Sequence, residues 1–404
     1  MGVLSGITVI ELCEVYQGPL AGQSLGDFGA RVIKVERPPK GDPMRGEQYA
    51  LERNLMSSVF AATNRNKESV CLDLKTEEGR SALLALLRTA DVLLHNYRAG
   101  VMERLGFGYE TLAEINPRLI YAGASGYGES GPLAGLAGQD LLIQSITGIS
   151  RKGTNGGVTP NYLNVPLTDY SSGMLLVQGV LLALIDRMSS GRGQKVSISL
   201  FDTAVSMQSL EAATLLNYGY EIRWFDLSLN FPVQVADGWV TVLGFFRDNP
   251  LRLICQALDL SDLSESMGLQ TDVEQAANRE EIVERLRPAF RTLTMDDAVQ
   301  RLQEVGVLSA PVLSYEQVLQ HPQVSHNGMI RKVPVAGQED LRVIDHPLRL
   351  SRTPHSIRRG PPRLGEHTAE VLGRLGFDEA TIAKASKARP EPPQAAGQSP
   401  AGDL

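Results

Sequence analysis

Two hydrophobic patterns take turns along the first 130 residues. One is a short apolar run ending in a polar or Gly/Pro turn. Such runs are Ile7-Thr8-Val9-Ile10-Glu11-Leu12, Arg31-Val32-Ile33-Lys34-Val35-Glu36, Val70-Cys71-Leu72-Asp73-Leu74, Asp91-Val92-Leu93-Leu94 and Leu119-Ile120-Tyr121-Ala122. Each reads as a buried strand. The other pattern is helical. Thr76 is placed to cap a helix that carries Glu77 and Glu78 in its first turn, and Leu83, Leu86, Leu87 and Ala90 fall on one face. Strands alternating with helices predict an α/β fold with a mostly parallel sheet covered on both sides.

Further on, Met174 to Ile185 is apolar except for Gln178 and Gly179. Twelve residues are too few to span a bilayer, so this stretch predicts a buried helix. Gly193 to Leu200 alternates and predicts another strand, with a helix through Met207 and Leu210 leading away. Past residue 222 the turn Asp237-Gly238 precedes a strand, Trp239 to Leu243, and helices dominate to about residue 306. One of these opens with Thr294 and Asp297 in capping-box spacing. Residues 225–325 therefore read as a smaller α+β domain. Pro347, Pro354, Pro361 and Pro362 mark a connector, and Thr368 to Gly376 a short helix. Residues 389–404 hold four prolines and almost no large apolar side chain, which predicts a disordered tail.

Composition narrows the function. A chain of 404 residues with 43% hydrophobic side chains accommodates two or three domains. The net charge of −7 argues against nucleic acid, which is bound through a basic excess. Cys13, Cys71 and Cys255 are too few and too scattered for a disulfide framework or a zinc site, so a reducing compartment, the cytoplasm, is expected. No basic segment precedes the apolar stretch Ile7–Cys13, so no signal peptide is expected, and Gly6 stands where a myristoylation signal needs Ser or Thr. The six histidines form no H-E-x-x-H or Cys/His cluster, and neither a Walker A sequence nor G-x-S-x-G occurs. The expectation is no metal and no membrane partner.

Three features carry candidate chemistry. Gly18, Gly22, Gly26 and Gly29 follow the first strand, as glycines do where a backbone approaches a phosphate, but the spacing is not G-x-G-x-x-G. Close helix–sheet packing explains the last three as well, and Pro19 suits a first helical position. Cations crowd the first quarter: Lys34, Arg37, Lys40, Arg45, Arg65, Lys67, Lys75, Arg98 and Arg104. Either they face a phosphorylated small molecule or they are ordinary solvated side chains. Asp169 sits in Val165-Pro166-Leu167-Thr168-Asp169-Tyr170-Ser171-Ser172-Gly173, directly before the apolar helix. It reads as a helix cap, or as a nucleophile that is already ionised at neutral pH.

Taken in order, several segments resemble the class III CoA-transferases, a group that includes formyl-CoA transferase, crotonobetainyl-CoA:carnitine CoA-transferase and the alpha-methylacyl-CoA racemases. They are Gly18-Pro19 with Leu25-Gly26-Asp27-Phe28-Gly29-Ala30, Val32 to Arg37, Asn64-Arg65-Asn66-Lys67, Leu72-Asp73-Leu74-Lys75, and Asn96 with Arg98. Leu105 to Tyr109, Ser125-Gly126-Tyr127-Gly128, Gly191-Arg192-Gly193-Gln194 and Gly365-Glu366-His367-Thr368 continue the match. The resemblance runs from residue 4 to residue 375.

It implies a Rossmann-like large domain over residues 1–200 with a parallel sheet. A linker at 201–224 follows, then the smaller domain, and a linker and C-terminal segment, 326–388, that returns to the large domain. It also implies an interlocked homodimer. Asp169 falls on the family's catalytic aspartate. Coenzyme A, as acyl-CoA substrate, would touch Tyr16, Gln17, Arg37, Leu72, Asp73, Leu74, Lys75, Asn96, Tyr97, Arg98 and Arg104.

Racemases of the group carry a histidine in a Gly-His-Asp segment. Here the segment is Gly138-Gln139-Asp140, and an amide is neither acid nor base near neutral pH. This favours CoA transfer between an acyl-CoA donor and a small carboxylic acid, with Gln139 as a hydrogen-bond donor at the acyl site or as a loop-ordering residue. Backbone N–H groups near the helix start are the expected oxyanion donors. A racemase and a non-catalytic acyl-CoA-binding protein are the alternatives. The chain has no glycine run between Asn230 and Phe246 like the one in formyl-CoA transferase. That points away from oxalate and formate, toward another acid such as a dicarboxylate.

Overall fold

The computed structural model describes residues 2–152 and 159–386. The predicted tail at 389–404 lies outside the described residues. The chain divides into two compact units, one comprising residues up to 207 and from 328 onward, the other Gln208–Asn327.

In the first unit six parallel strands form one sheet: β1 (Thr8–Leu12), β2 (Arg31–Glu36), β3 (Lys67–Cys71), β4 (Val92–His95), β5 (Ile120–Ser125) and β6 (Lys195–Ser199). Their order is β3-β2-β1-β4-β5-β6, so the order reverses between β1 and β4. Both faces are buried, as a parallel sheet requires. On one face Val9, Val32, Val92, Leu94 and Ile120 pack against α1 (Gln17–Asp27) and a long helix, Leu167–Ser190. On the other, Ile10, Leu12, Ile33, Leu93 and Tyr121 meet α2 (Glu77–Leu87), whose start Thr76 caps as expected. The C-terminal segment closes this face. Val371, Leu372 and Ala385 join its core, and the β3 edge donates Ser69 N to His367 Nδ1 (3.2 Å) and Cys71 N to Thr368 Oγ1 (3.0 Å). An otherwise open strand edge is thereby covered.

Strand β3 starts three residues earlier than the apolar run suggested. Its first residue, Lys67, is wholly buried and bonds Glu11 of β1. Lys34 of β2, also wholly buried, lies 3.0 Å from the same carboxylate. A reading by hydropathy cannot place a charge inside a core, so it passed over Lys67.

A second difference concerns the apolar stretch after residue 174. The helix runs 24 residues, Leu167–Ser190, long enough to cross a bilayer by length and composition. Leu176, Val180, Ala183 and Leu184 are buried against the sheet, whereas Leu182 is 60% and Met188 88% exposed. The helix is thus half core and half exposed within one chain, not buried all round.

The second unit is α+β. Strands β7 (Asn230–Gln234), β8 (Trp239–Leu243) and β9 (Leu308–Pro311) form an antiparallel sheet in that order. Pro232 sits on the outer strand, where its missing N–H is harmless. The sheet buries Phe231, Val240 and Val242 against Leu251, Ile254, Leu286, Phe290 and Leu302 of the following helices. Thr294 accepts from Asp297 N, as the capping spacing indicated.

The glycines of α1 serve packing. A Cβ on Gly22 would lie 1.8 Å from Glu11 Oε2, and Glu11 has no room to retreat between Lys34 and Lys67. Pro19 is the third helical residue, two positions later than expected. Gly22→Ala is expected to cost about 3 kcal/mol or more, the range of overpacked or charge-breaking core changes. A urea midpoint equal to that of the parent protein would show that the charge cluster yields.

Candidate active site

The long helix Leu167–Ser190 is labelled α4, and the helix Asp140–Ile146 that precedes it α3. Asp169 lies in the first turn of α4 but does not cap it. The cap comes from another element: Asp140 Oδ2 accepts from Thr168 N (2.7 Å), Thr168 Oγ1 (2.6 Å) and Asp169 N (3.2 Å). Its Oδ1 accepts from Gln144 Nε2 at 2.6 Å, which anchors the carboxylate in α3. Asp140 and Thr168 are buried. The capping reading of Asp169 is therefore corrected: the free N–H groups are taken, and the half-buried Asp169 carboxylate accepts no hydrogen bond among the described residues.

Electrostatics follow from that arrangement. Burial, and then the Asp140 charge beside it, push Asp169 up to about 7 from the usual Asp range. The expectation of a carboxylate fully ionised at neutral pH is corrected, because the group is poised near pH 7. The expected oxyanion donors also change. Thr168 N and Asp169 N are held by Asp140, Leu167 N donates to Val165 O and Tyr170 N to Pro166 O. The first-turn N–H groups are thus already occupied.

The order reversal of the sheet brings two loops together at the carboxyl ends of β1 and β4, the usual ligand crevice of such sheets. Glu14 N donates to Asn96 Oδ1 (3.0 Å), and Asn96 Nδ2 donates back to Glu14 O (2.8 Å). Asn96 therefore clamps the first loop. Gln17 is buried, and its Nε2 donates to Ser172 Oγ of α4 at 2.8 Å. Ser172 Oγ in turn donates to Asp169 O at 3.2 Å. Tyr16 stands at the start of α1, and its carbonyl accepts from Leu20 N. Tyr97 is half-buried, with its ring 6.5 Å from that of His95 and nearly parallel.

The other residues predicted to meet CoA lie along the same edge. Arg37 follows β2, exposed, with Nε 3.6 Å from Glu14 Oε1. Asp73 starts a turn after β3, its Oδ1 accepting from Lys75 N (3.0 Å) and its N–H donating to Ala385 O (2.7 Å). Leu74 is half-buried and Lys75 exposed. Arg98 precedes a short helix after β4, Val101–Leu105, and Arg104 lies in its last turn, both exposed. Leu72 is a correction: the residue is 1% exposed, its side chain lies in the core and its N–H donates to Glu36 O at 2.9 Å, so it offers nothing to a ligand. Gln139 is exposed at the start of α3, next to Asp140.

The cation cluster splits in two. Lys34 and Lys67 pair with Glu11, Arg65 with Asp27 and Arg45 with Glu36, all buried or nearly so. These four hold the fold and cannot counter a phosphate. Arg37, Lys40, Lys75, Arg98 and Arg104 remain exposed.

Sequence reasoning missed Asp140, Ser172, Asp42 and His95. An acid at the start of α3 was a signal for Asp140; the others gave none. His95 is buried at the end of β4 beside a cavity of about 210 Å³, and burial lowers it to about 4.

Residues 4–368 match the family model described as CoA-transferase family III. The chain belongs to that family. It is an enzyme, a CoA-transferase, as the resemblance implied. Among its relatives, an acyl-CoA transferase of Fusarium pseudograminearum is 36% identical over 95% of this chain and 87% of that protein. The succinate–glutarate CoA-transferase of Agrobacterium fabrum is 33% identical over 94% of this chain and 97% of its own. The crystal structure of a CAIB/BAIF family protein from Brucella suis superposes with a TM-score of 0.84 at 29% identity, covering 93% of this chain and 99% of the other.

Asp169 also leaves a stability signature. Its folded value lies above the ordinary one, so ionisation costs folding energy: the cost is absent below about pH 4 and complete above about pH 7. Asp169→Asn is expected to raise stability by about 1–3 kcal/mol at pH 8. The gain should shrink steadily toward pH 5 in melting curves. A gain that does not change with pH would contradict the raised value.

Proposed function

We propose that the enzyme moves CoA from an acyl-CoA donor to a small carboxylic acid through covalent intermediates on Asp169. The observation that carries this reading is the division of labour between Asp140 and Asp169: one carboxylate caps the helix, which leaves the other unbonded and near its titration point. Asp169 attacks the thioester carbonyl, giving a mixed anhydride and CoA thiolate. The thiolate then attacks the Asp169 carbonyl, forming an aspartyl-CoA thioester and releasing the donor acid. An acceptor carboxylate attacks that thioester, and the steps reverse to a new acyl-CoA.

The exposed cations along the sheet edge, Arg37, Lys75, Arg98 and Arg104, suit the CoA phosphates. With the first-turn N–H groups of α4 occupied, the tetrahedral oxyanions need other donors. We assign that role to the side-chain amide of Gln139, one residue from Asp140. Gln139 is also what favours transfer over racemisation, because it cannot shuttle an α-proton. A dicarboxylate acceptor agrees with the lack of a glycine run between Asn230 and Phe246. It also agrees with the succinate–glutarate activity for which the Agrobacterium relative is named.

Water at about 55 M competes with an acceptor near 1 mM, so positioning and closure must supply about 6 kcal/mol of preference. We assign part of that closure to a second copy of the chain in an interlocked homodimer. The uncovered face of α4, with Leu175, Leu182, Ile185 and Met188, fits such a partner. The three cysteines are free, which suits a cytoplasmic enzyme.

Incubation with succinyl-CoA followed by hydroxylamine or borohydride should modify Asp169, located by mass spectrometry, and Asp169→Asn should lose at least about 10³-fold in rate. Modification at another residue would overturn the assignment. Since the nucleophile is the ionised form, kcat/KM should rise about tenfold per pH unit up to about pH 7 and then level off. A flat profile from pH 5 to 8 would exclude a carboxylate poised there. Wash-in of solvent deuterium at the α-carbon without an acceptor acid would favour the racemase.

A further inference from the structure

We propose that Lys34 and Asp42, buried on β2 and on the loop after it, are positioning residues. They hold Val15 in a left-handed backbone conformation so that Tyr16 and Gln17 are presented at the crevice between β1 and β4. Val15 has φ of 71°, a region that β-branched residues avoid. Its side chain is 40% exposed, so burial of the valine does not explain the conformation. The constraint comes from outside the loop.

Val15 N donates to Asp42 Oδ1 at 3.2 Å, and Asp42 Oδ2 lies 3.0 Å from Lys34 Nζ. Lys34 Nζ also donates to Cys13 O at 2.6 Å and to Glu11 Oε1 at 3.0 Å. Neither Lys34 nor Asp42 is more than 1% exposed. Between these grips, Asn96 bonds both backbone groups of Glu14. Three consecutive residues thus have their backbones held by side chains from other elements. Asp42 Oδ1 also caps the following turn through Met44 N at 2.9 Å, which ties the loop to a rigid neighbour.

The chain downstream has little slack. A Cβ on Gly18 would lie 2.4 Å from Cys13 Sγ, and one on Gly173 2.7 Å from Gln17 O. Gln17 reaches Ser172, and Ser172 reaches the carbonyl of Asp169. A relaxed Val15 would therefore shift Gln17 against the first turn of α4. Strain stored in a loop and imposed by its surroundings is the pattern of a preorganised site.

That this loop serves acyl-CoA rests on the transferase reading above; the way it is held does not. The test is a double-mutant cycle. Asp42→Asn cannot offer an acceptor to both Lys34 and Val15 N, whichever way the amide turns. It should cut kcat/KM for succinyl-CoA by about tenfold or more. Val15→Gly reaches positive φ without constraint. In the Val15→Gly background the same Asp42→Asn change should cost no more than about threefold. Equal losses in both backgrounds would overturn the proposal.

Hydrogen exchange on the free protein gives a readout without turnover. Asp42→Asn should speed exchange across residues 13–17 by about tenfold or more while β1 and β2 stay protected. Unchanged exchange there sinks the proposal whatever the activity. Accelerated exchange in a protein whose parent form transfers no CoA would sink the transferase reading and leave the loop device standing. If Asp42→Asn does not fold, Val15→Gly alone decides. Melting at or above the parent temperature supports imposed strain, and lower melting refutes it.

Discussion

One carboxylate takes over another's structural duty at the start of the long helix, and the proposed chemistry of this protein depends on it. An acid in the first turn of a long helix would ordinarily be drawn to the free N–H groups there and the positive end of the helix dipole. Asp140, reaching across from a neighbouring helix, satisfies those groups first. It also supplies a negative charge that makes ionisation of Asp169 harder. The same contact that ends the helix properly therefore frees and tunes the group beside it. The capping of the helix and the proton affinity of Asp169 are set by one neighbouring carboxylate.

A second constraint lies under the crevice. Glu11, Lys34, Lys67 and Asp42 form a charge cluster with no exposed side chain. Buried ion pairs of this kind are poor sources of net stability compared with apolar packing, and costly to break. Their worth here is geometric. They join three adjacent strands to the loop after β1 and leave that loop few conformations. Catalysis by positioning needs such rigidity, because small displacements of the reacting groups are expensive in rate.

The parallel sheet, its strands and the capped helix after Thr76 could be read from hydrophobic runs and turn residues, since burial on both faces leaves a plain signature. Asp169 could be singled out by its place before an apolar helix and by the family motifs around it. Asp140 gave a signal as an acid at the start of α3 but not its partner 29 positions away, and Ser172 and Asp42 gave none, because each matters through a partner 155 or 27 positions away. Lys34 and Lys67 stood among cations read either as facing a phosphate or as ordinary solvated side chains, and they are neither, for the same reason. A lysine in a sequence carries a charge but no address, and only the fold shows that the charge is spent on Glu11.

By itself, then, the sequence determined what is local and periodic: where strands and helices lie, which faces are apolar, which family the motifs match, and which carboxylate stands at the start of α4. The tertiary structure alone decided which charges are consumed internally and which face solvent, which acid caps and which stays free, and how far that freedom lifts its proton affinity. The physical reason is that hydrophobic pattern acts over a few residues, whereas electrostatics and hydrogen bonding act over a few ångströms. Those distances exist only after the chain has folded.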